Sequence, residues 1–156
     1  MKQKNMWMYL KLDTFGVEIP FSKSKSEFIS YFHKNNIPTK SPSDMQIVLK
    51  SKLMSLDVDF FISFEFSEER LISLTMSPIT ALEGKTLRCR YKKIQRALRN
   101  ELGFPHNWWE LMVNLLDPDN RVSCWQKDGI KIKHYLLNRF GMEEIINIDF
   151  RARYKT

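Results

Sequence analysis

Five basic side chains recur between Thr80 and Trp109 at spacings that place them on one side of a helix. Their spacings are three, four, four and three residues, and the set consists of Lys85, Arg88, Lys92, Arg96 and Arg99. At about 100° per residue they fall within roughly 80° of one another. From Lys85 to Glu101, seven Lys or Arg residues and one acid give a net charge of +6, against +7 for the whole chain. Such a row can bind phosphates, anionic lipid or an acidic protein, and it is equally typical of a solvated helix face.

An aromatic cluster follows the basic row. His106 precedes the adjacent pair Trp108 and Trp109. On a helix, adjacent side chains point about 100° apart, so one indole of the pair is difficult to bury completely. Because aromatic residues and Arg anchor many interfaces, we assign His106, Trp108 and Trp109, with the five cations, to a partner-binding surface. The alternative is that both indoles close the core below the turn from Gly103 to Pro105.

The residue types that carry catalysis or bind metals form no recognisable pattern. The histidines and cysteines lack the close ligand pairs of structural zinc sites; they are His33, His106, His134, Cys89 and Cys124. No serine lies in a nucleophile elbow, and Cys89 has no evident base. Asp57, Asp59 and Glu65 share one strand face without any sign of a cleft. The sequence therefore predicts no catalytic residue, no metal and no cofactor.

The basic row requires a long helix to position it. Thr80 and Glu83 have the spacing of a capping box, which would start this helix. An apolar stripe then follows at helical spacing and consists of Leu87, Tyr91, Ile94, Leu98 and Leu102. Gly103 and Pro105 predict its end. A second capping box, Ser24 to Glu27, predicts a shorter helix.

Alternating apolar and polar residues predict strands through the rest of the chain. The clearest run is 57–66, and it turns at 67–70 into 71–76, where Ile72, Leu74 and Met76 would face inward. Other predicted strands cover 6–12, 46–50, 122–127, 130–137 and 146–154, with a short helix at 107–116 and a turn at 117–120. Asp128 and Gly129 predict a two-residue hairpin that pairs Trp125 with Ile132.

The two halves of the chain follow the same plan. Each has a capping box, a helix, a small polar or Gly step, an apolar residue, Pro and then strands. The segments FSEERLISLTM from Phe66 and FGMEEIINIDF from Phe140 align without gaps and share Phe, Glu and Ile. We therefore predict an α+β fold in one domain, 1–156, with helices packed on one face of an antiparallel sheet and a duplicated αβββ unit over 17–78 and 79–154.

Composition supports a soluble globular protein. The 156 residues are 43% hydrophobic and 28% charged, which is enough to build one core. No apolar run approaches the roughly 20 residues that cross a bilayer, and the first residues lack the pattern of a signal peptide. The two cysteines are expected to be reduced thiols in a cytoplasmic protein.

The layout resembles small cytoplasmic bacterial immunity proteins, which bind and neutralise a cognate toxin. The resemblance rests on the helix that leads into Gly103-Phe104-Pro105, on the Trp125-to-Gly129 hairpin and on the αβββ duplication. It implies a non-enzymatic protein that binds a toxin domain one to one and covers its active face. The positive surface departs from inhibitors of nucleases, which tend to be acidic, and points away from a nuclease toxin.

The alternative function is nucleic-acid binding through the helix at 85–99. Its cations would contact phosphates, while Trp108, Trp109 or Tyr91 would stack on bases. No aromatic RNA-binding motif or known DNA-reading module accompanies the row. A third possibility is an enzyme whose site is assembled from scattered residues.

Overall fold

The computed structural model describes residues 6–80, 82, 84–106, 120–138 and 142–154. Within these ranges the chain forms nine strands, two α-helices and one 3₁₀ helix. In chain order they are β1 (Tyr9–Leu12), β2 (Val17–Pro20), α1 (Lys25–Lys34), β3 (Lys40–Ser43), β4 (Gln46–Lys52), β5 (Asp59–Ser67), β6 (Arg70–Pro78), α2 (Gly84–Leu102), β7 (Arg121–Lys127), β8 (Ile130–Asn138), β9 (Met142–Asp149) and the 3₁₀ helix (Arg151–Tyr154).

Seven of the strands form one antiparallel sheet in the order β3-β4-β5-β6-β9-β8-β7, and β1 pairs with β2 separately. One buried row crosses six of the seven strands and consists of Ile47, Phe64, Leu74, Ile148, Ile132 and Trp125. Both helices pack on the face that carries this row. The prediction of an α+β fold with an antiparallel sheet and helices on one face is therefore confirmed.

The two halves meet at the centre of the sheet. Each half supplies a helix and a three-stranded meander, β4-β5-β6 or β7-β8-β9, and the last strands of the two meanders pair with each other. In the first half the edge strand β3 comes between the helix and the meander. At this seam Leu74 lies opposite Ile148. Both are the ninth residues of the segments that align in the sequence. The order of the six meander strands is therefore symmetric about this pair, while a duplicated αβββ unit stays a prediction.

Aromatic packing holds α1 on the sheet. The Phe28 ring lies 5.3 Å from Phe64 and 5.4 Å from Phe66, and the Phe32 ring lies 5.7 Å from Phe64. All four side chains are buried. The capping box is present, because Ser24 N–H donates to Glu27 Oε2 at 2.8 Å and Glu27 N–H donates to Ser24 Oγ at 3.3 Å. This helix therefore begins as its sequence predicts.

The hairpin between β7 and β8 is also confirmed. Asp128 and Gly129 both have positive φ, 49° and 75°, as the two-residue turn requires. Trp125 pairs with Ile132, as the sequence predicts. Pairing at this register turns Trp125 into the core, where the side chain is fully buried.

Several predicted boundaries are wrong. Helix α2 begins at Gly84, and Leu82 lies outside it, so Thr80 does not cap the helix. The Thr80 carbonyl oxygen instead accepts a hydrogen bond from the Arg90 guanidinium. A register shift between β5 and β6 pairs Phe66 with Leu71, so Leu71 is buried in the place that the sequence assigns to Ile72. One extra residue at such a bulge reverses which side chains face inward.

Other differences lie at strand ends. The polar segment at 39–44, which the sequence predicts to be a loop, contains the exposed edge strand β3, and this strand pairs with β4. The first strand begins at Tyr9, three residues later than predicted, and the last strand ends at Asp149, where the 3₁₀ helix follows. The predicted helix at 107–116 and all but the last residue of the predicted turn at 117–120 lie outside the described residues.

Candidate interaction surface

One side of α2 is built into the core. Leu87, Tyr91, Ile94 and Leu98 are buried, and Leu102 is half-buried, as the apolar stripe predicts. The Tyr91 ring stacks on His134 of β8 with centroids 4.2 Å apart and planes 16° from parallel. Since this side is held along the length of the helix, the opposite side is fixed in direction as well.

The predicted basic row lies on that opposite side. All five of its members are exposed, namely Lys85, Arg88, Lys92, Arg96 and Arg99. Lys93 is exposed too. At 1.5 Å per residue the row extends about 21 Å along the helix. The structure therefore brings these five predicted residues together on one rigid element.

Ion pairs among the described residues leave at least three charges of this row without an acidic partner. Across the residues whose positions the structure gives, no acidic side chain forms an ion pair with Lys85, Lys92 or Arg96. Arg99 places its guanidinium 5.9 Å from the centre of the Phe104 ring. Like charges this close raise the local positive potential and favour a partner of opposite charge.

Phe104 is a surface residue that the sequence analysis did not assign. Its side chain is 86% exposed, directly after the helix. The chain turns at Gly103, whose φ is +82°, and Pro105 beside it is buried. A signal was present in the sequence, because Phe104 lies outside the apolar stripe and between two residues that end a helix.

His106 lies beside the edge strand β7. Its backbone N–H donates to the Cys124 oxygen at 2.7 Å, and its Nδ1 accepts from Gln126 N–H at 3.3 Å. The residue is exposed, but its ring hydrogen-bonds to the edge of the sheet. Trp108 and Trp109 lie outside the described residues, so their assignment to the surface stays a prediction.

A buried polar network supports α2 from below. Arg90 Nε donates to Glu144 Oε2 at 2.7 Å, and His134 Nε2 lies 3.0 Å from Glu144 Oε1. His134 Nδ1 lies 2.7 Å from Gln95 Oε1, and Gln95 Nε2 donates to Ser123 Oγ at 2.8 Å. These five side chains are all buried. The network joins α2 to β7, β8 and β9, and sequence reasoning missed it.

Burial lowers the pKa of His134, although the Glu144 carboxylate acts in the opposite direction. Gln95 Oε1 lies at one ring nitrogen of His134 and Glu144 Oε1 at the other. Two acceptors suit a protonated ring, in which both nitrogens donate. The effect of burial is the larger one, because Arg90 already balances the charge of Glu144. A neutral ring that carries its proton on Nε2 needs a donor at Nδ1, and a 180° rotation of the Gln95 amide supplies it.

The residue types that could bind a metal do not gather in the described part of the chain. Within that part, no three His, Cys, Asp or Glu side chains are grouped so that they could hold a metal ion. Both cysteines are free thiols; Cys89 is exposed on α2 and Cys124 is half-buried in β7. Asp57 lies before β5, which begins at Asp59, and its carboxylate forms an ion pair with Lys52.

Neither α2 nor any other helix in the described ranges is long and apolar enough to cross a membrane. Comparisons of the chain with protein-family models, with curated proteins and with solved structures gave no match. The surface is therefore interpreted from its own geometry.

Proposed function

We propose that the protein is a non-enzymatic binding protein that places the basic side of α2 against an acidic surface of a partner protein. The observation that carries this proposal is the exposure of five cations on a helix whose other side is fixed in the core. A positive surface of this kind speeds the encounter with an acidic partner and selects against basic ones. Because the helix is held in place, little conformational freedom is lost on binding.

The extent of the positive surface favours a protein partner over nucleic acid. The row covers about 21 Å, and the chain outside 85–101 carries a net charge of only +1. The face of the sheet opposite the two helices, which we call the open face, mixes acids and bases, with Glu65 and Asp149 in the same cross-strand row as Lys131. A strand of nucleic acid usually follows a longer positive groove. A local acidic patch on a protein matches this footprint better.

We further propose that the partner is a bacterial toxin domain and that the protein neutralises it in the cytoplasm. Support comes from the resemblance in layout to immunity proteins and from the two free thiols, which suit a reducing compartment. An inhibitor needs a rigid surface more than it needs a catalytic site, and α2 supplies one.

The test is charge reversal at three positions of the row, Arg88→Glu, Lys92→Glu and Arg96→Glu together. Tagged protein from the native host should capture a stoichiometric partner, and the triple variant should lose it while its melting temperature stays within a few degrees of wild type. The matched control reverses three exposed lysines elsewhere, Lys34, Lys40 and Lys127, with the same change in net charge. This control should retain the partner.

Each other outcome has a definite meaning. Retention of the partner by the triple variant would show that the basic side is not the contact surface. Loss of the captured material on nuclease treatment, together with a steep fall in affinity from low to physiological salt, would establish the nucleic-acid alternative. If the triple variant unfolds, the row is structural. For the toxin assignment, co-expression should restore the growth of cells that express the captured partner.

A further inference from the structure

We infer that Phe104 is the apolar anchor of this interface and that the partner presents an apolar patch rimmed by carboxylates. The inference rests on the proposed function and specifies the chemistry of its partner. Phe104 is the most exposed large hydrophobic side chain of the described residues, at 86%, whereas Phe61 on the open face of the sheet is 42% exposed. Burying a Phe side chain stabilises a fold, and Phe104 leaves this gain unused.

The chain around Phe104 is held in place on both sides. Gly103 N–H donates to the Arg99 oxygen at 2.9 Å, and the Gly103 oxygen accepts from the Trp125 indole at 2.9 Å. On the other side Pro105 is buried, and His106 N–H donates to the Cys124 oxygen. The exposed ring is therefore not carried by a loose loop. It projects from a turn that is tied to both α2 and β7.

The charges around the ring define what can cover it. The Arg99 guanidinium lies 5.9 Å from the centre of the Phe104 ring. Exposed Arg96 lies three residues before Arg99, on the same side of the helix. An apolar patch that receives the ring must therefore place its own rim beside these cations. Carboxylates at that rim would pair with them, whereas a basic or purely apolar rim would not. Aromatic and Arg side chains in this arrangement commonly carry most of the binding energy of an interface.

Two synthetic polymers separate the contribution of charge from that of the ring. Poly-L-glutamate offers carboxylates alone, and a random copolymer of Glu and Tyr in a ratio of about 4:1 adds aromatic contacts to them. Wild-type protein should bind the copolymer about 3- to 10-fold more tightly than poly-L-glutamate of equal charge, as one aromatic pair allows. Phe104→Ala should remove most of this preference and keep the affinity for poly-L-glutamate within about 2-fold.

Controls keep the two proposals apart. Phe104→Tyr, which keeps the ring, should retain the preference, and Phe104→Gln, which keeps much of the length without the aromatic ring, should lose it. Phe61→Ala removes an exposed ring from the open face of the sheet and should change nothing. An unaltered preference in Phe104→Ala, or an equal loss in Phe61→Ala, would overturn the anchor role. An unaltered affinity for poly-L-glutamate in the triple charge reversal would instead overturn the basic surface itself.

Discussion

At the scale of single residues, His134 occupies in the second half of the sheet the position that Phe66 occupies in the first. His134 follows Lys133, which pairs with Asn147, and Phe66 follows Glu65, which pairs with Ser73 at the equivalent position. Both side chains are fully buried under a helix. Replacing a phenyl ring with an imidazole is tolerated only if each ring nitrogen finds a partner, and Glu144 and Gln95 provide both.

The buried His134 ring makes stability depend on pH. Since burial lowers the pKa of His134, the unfolded chain binds a proton near pH 6.5 that the folded protein takes up only at lower pH. Stability therefore falls as the pH drops below about 6.5. The groups that face the ring are Glu144 from β9, Tyr91 and Gln95 from α2, and Ser123 from β7. Arg90 of α2 bonds to the other oxygen of Glu144, and of these groups Glu144 and Arg90 are charged.

We predict that wild-type protein loses about 1 kcal/mol more unfolding free energy between pH 7.5 and pH 5.5 than His134→Gln does. Glutamine keeps a donor and an acceptor in the network but does not titrate. Urea unfolding at both pH values measures the difference, and subtracting the profile of the variant removes the contribution of every other group. Equal losses in the two proteins would mean that His134 takes up its proton equally well in the folded and unfolded chains.

At the scale of elements, the sequence predicts which side of a helix or strand is buried. It predicts less well which residues of other elements that side contacts. The two stripes of α2 follow from the helical period alone, and the structure places Leu87 and Ile94 in the core and Lys92 in solvent as the period requires. Arg90 is a cation that the structure buries. Its guanidinium hydrogen-bonds to Glu144, which lies 54 residues away in the sequence. Neither Arg90 nor Glu144 stands out in its local sequence, so such a pair becomes visible only when the strand order is known.

The hairpin turn between β7 and β8 needs a glycine for a local reason and for a tertiary one. Gly129 has a φ of +75°, and a Cβ placed on it would lie 2.9 Å from the Arg153 Cα in the 3₁₀ helix. Gly16 has a similar φ of +65°, but a Cβ placed there would meet nothing within 4 Å. Substitution at either site therefore meets the same backbone strain, but only Gly129 also lacks space.

We predict that Gly16→Ala costs about 1 kcal/mol through its left-handed backbone alone, whereas Gly129→Ala costs at least about 2 kcal/mol more. The additional cost arises because backbone atoms, unlike the end of a flexible side chain, cannot move aside without displacing the 3₁₀ helix. Chemical denaturation of the two variants gives the comparison. Equal destabilisation would show that the 3₁₀ helix shifts at negligible cost.

At the scale of the whole molecule, the central seam makes the two halves one structure. The main hydrophobic cluster extends from Met6 to Phe150 and includes side chains of both meanders. On the opposite face of the seam, Asn147 Nδ2 donates to Thr75 Oγ1 at 3.2 Å. Helix α2 rests on β7, β8 and β9, of which β9 pairs with β6 of the first half. Ile94 and Leu98 of the helix also join the core cluster that the two halves share. The rigidity of the basic surface therefore depends on strands that do not touch it.

The seam allows a direct test of this dependence, because Leu74 and Ile148 are equivalent, opposed and fully buried. We predict that Leu74→Ala and Ile148→Ala each cost about 2–5 kcal/mol and that either change destabilises both halves equally. Hydrogen exchange of the slowest amides in β5 and β8 measures this, and the two strands should lose the same protection in each variant. Ser63→Ala, on the open face of β5, should leave both strands unchanged. If Leu74→Ala weakens β5 while β8 keeps its protection, the halves unfold independently, and α2 is held by the second meander alone.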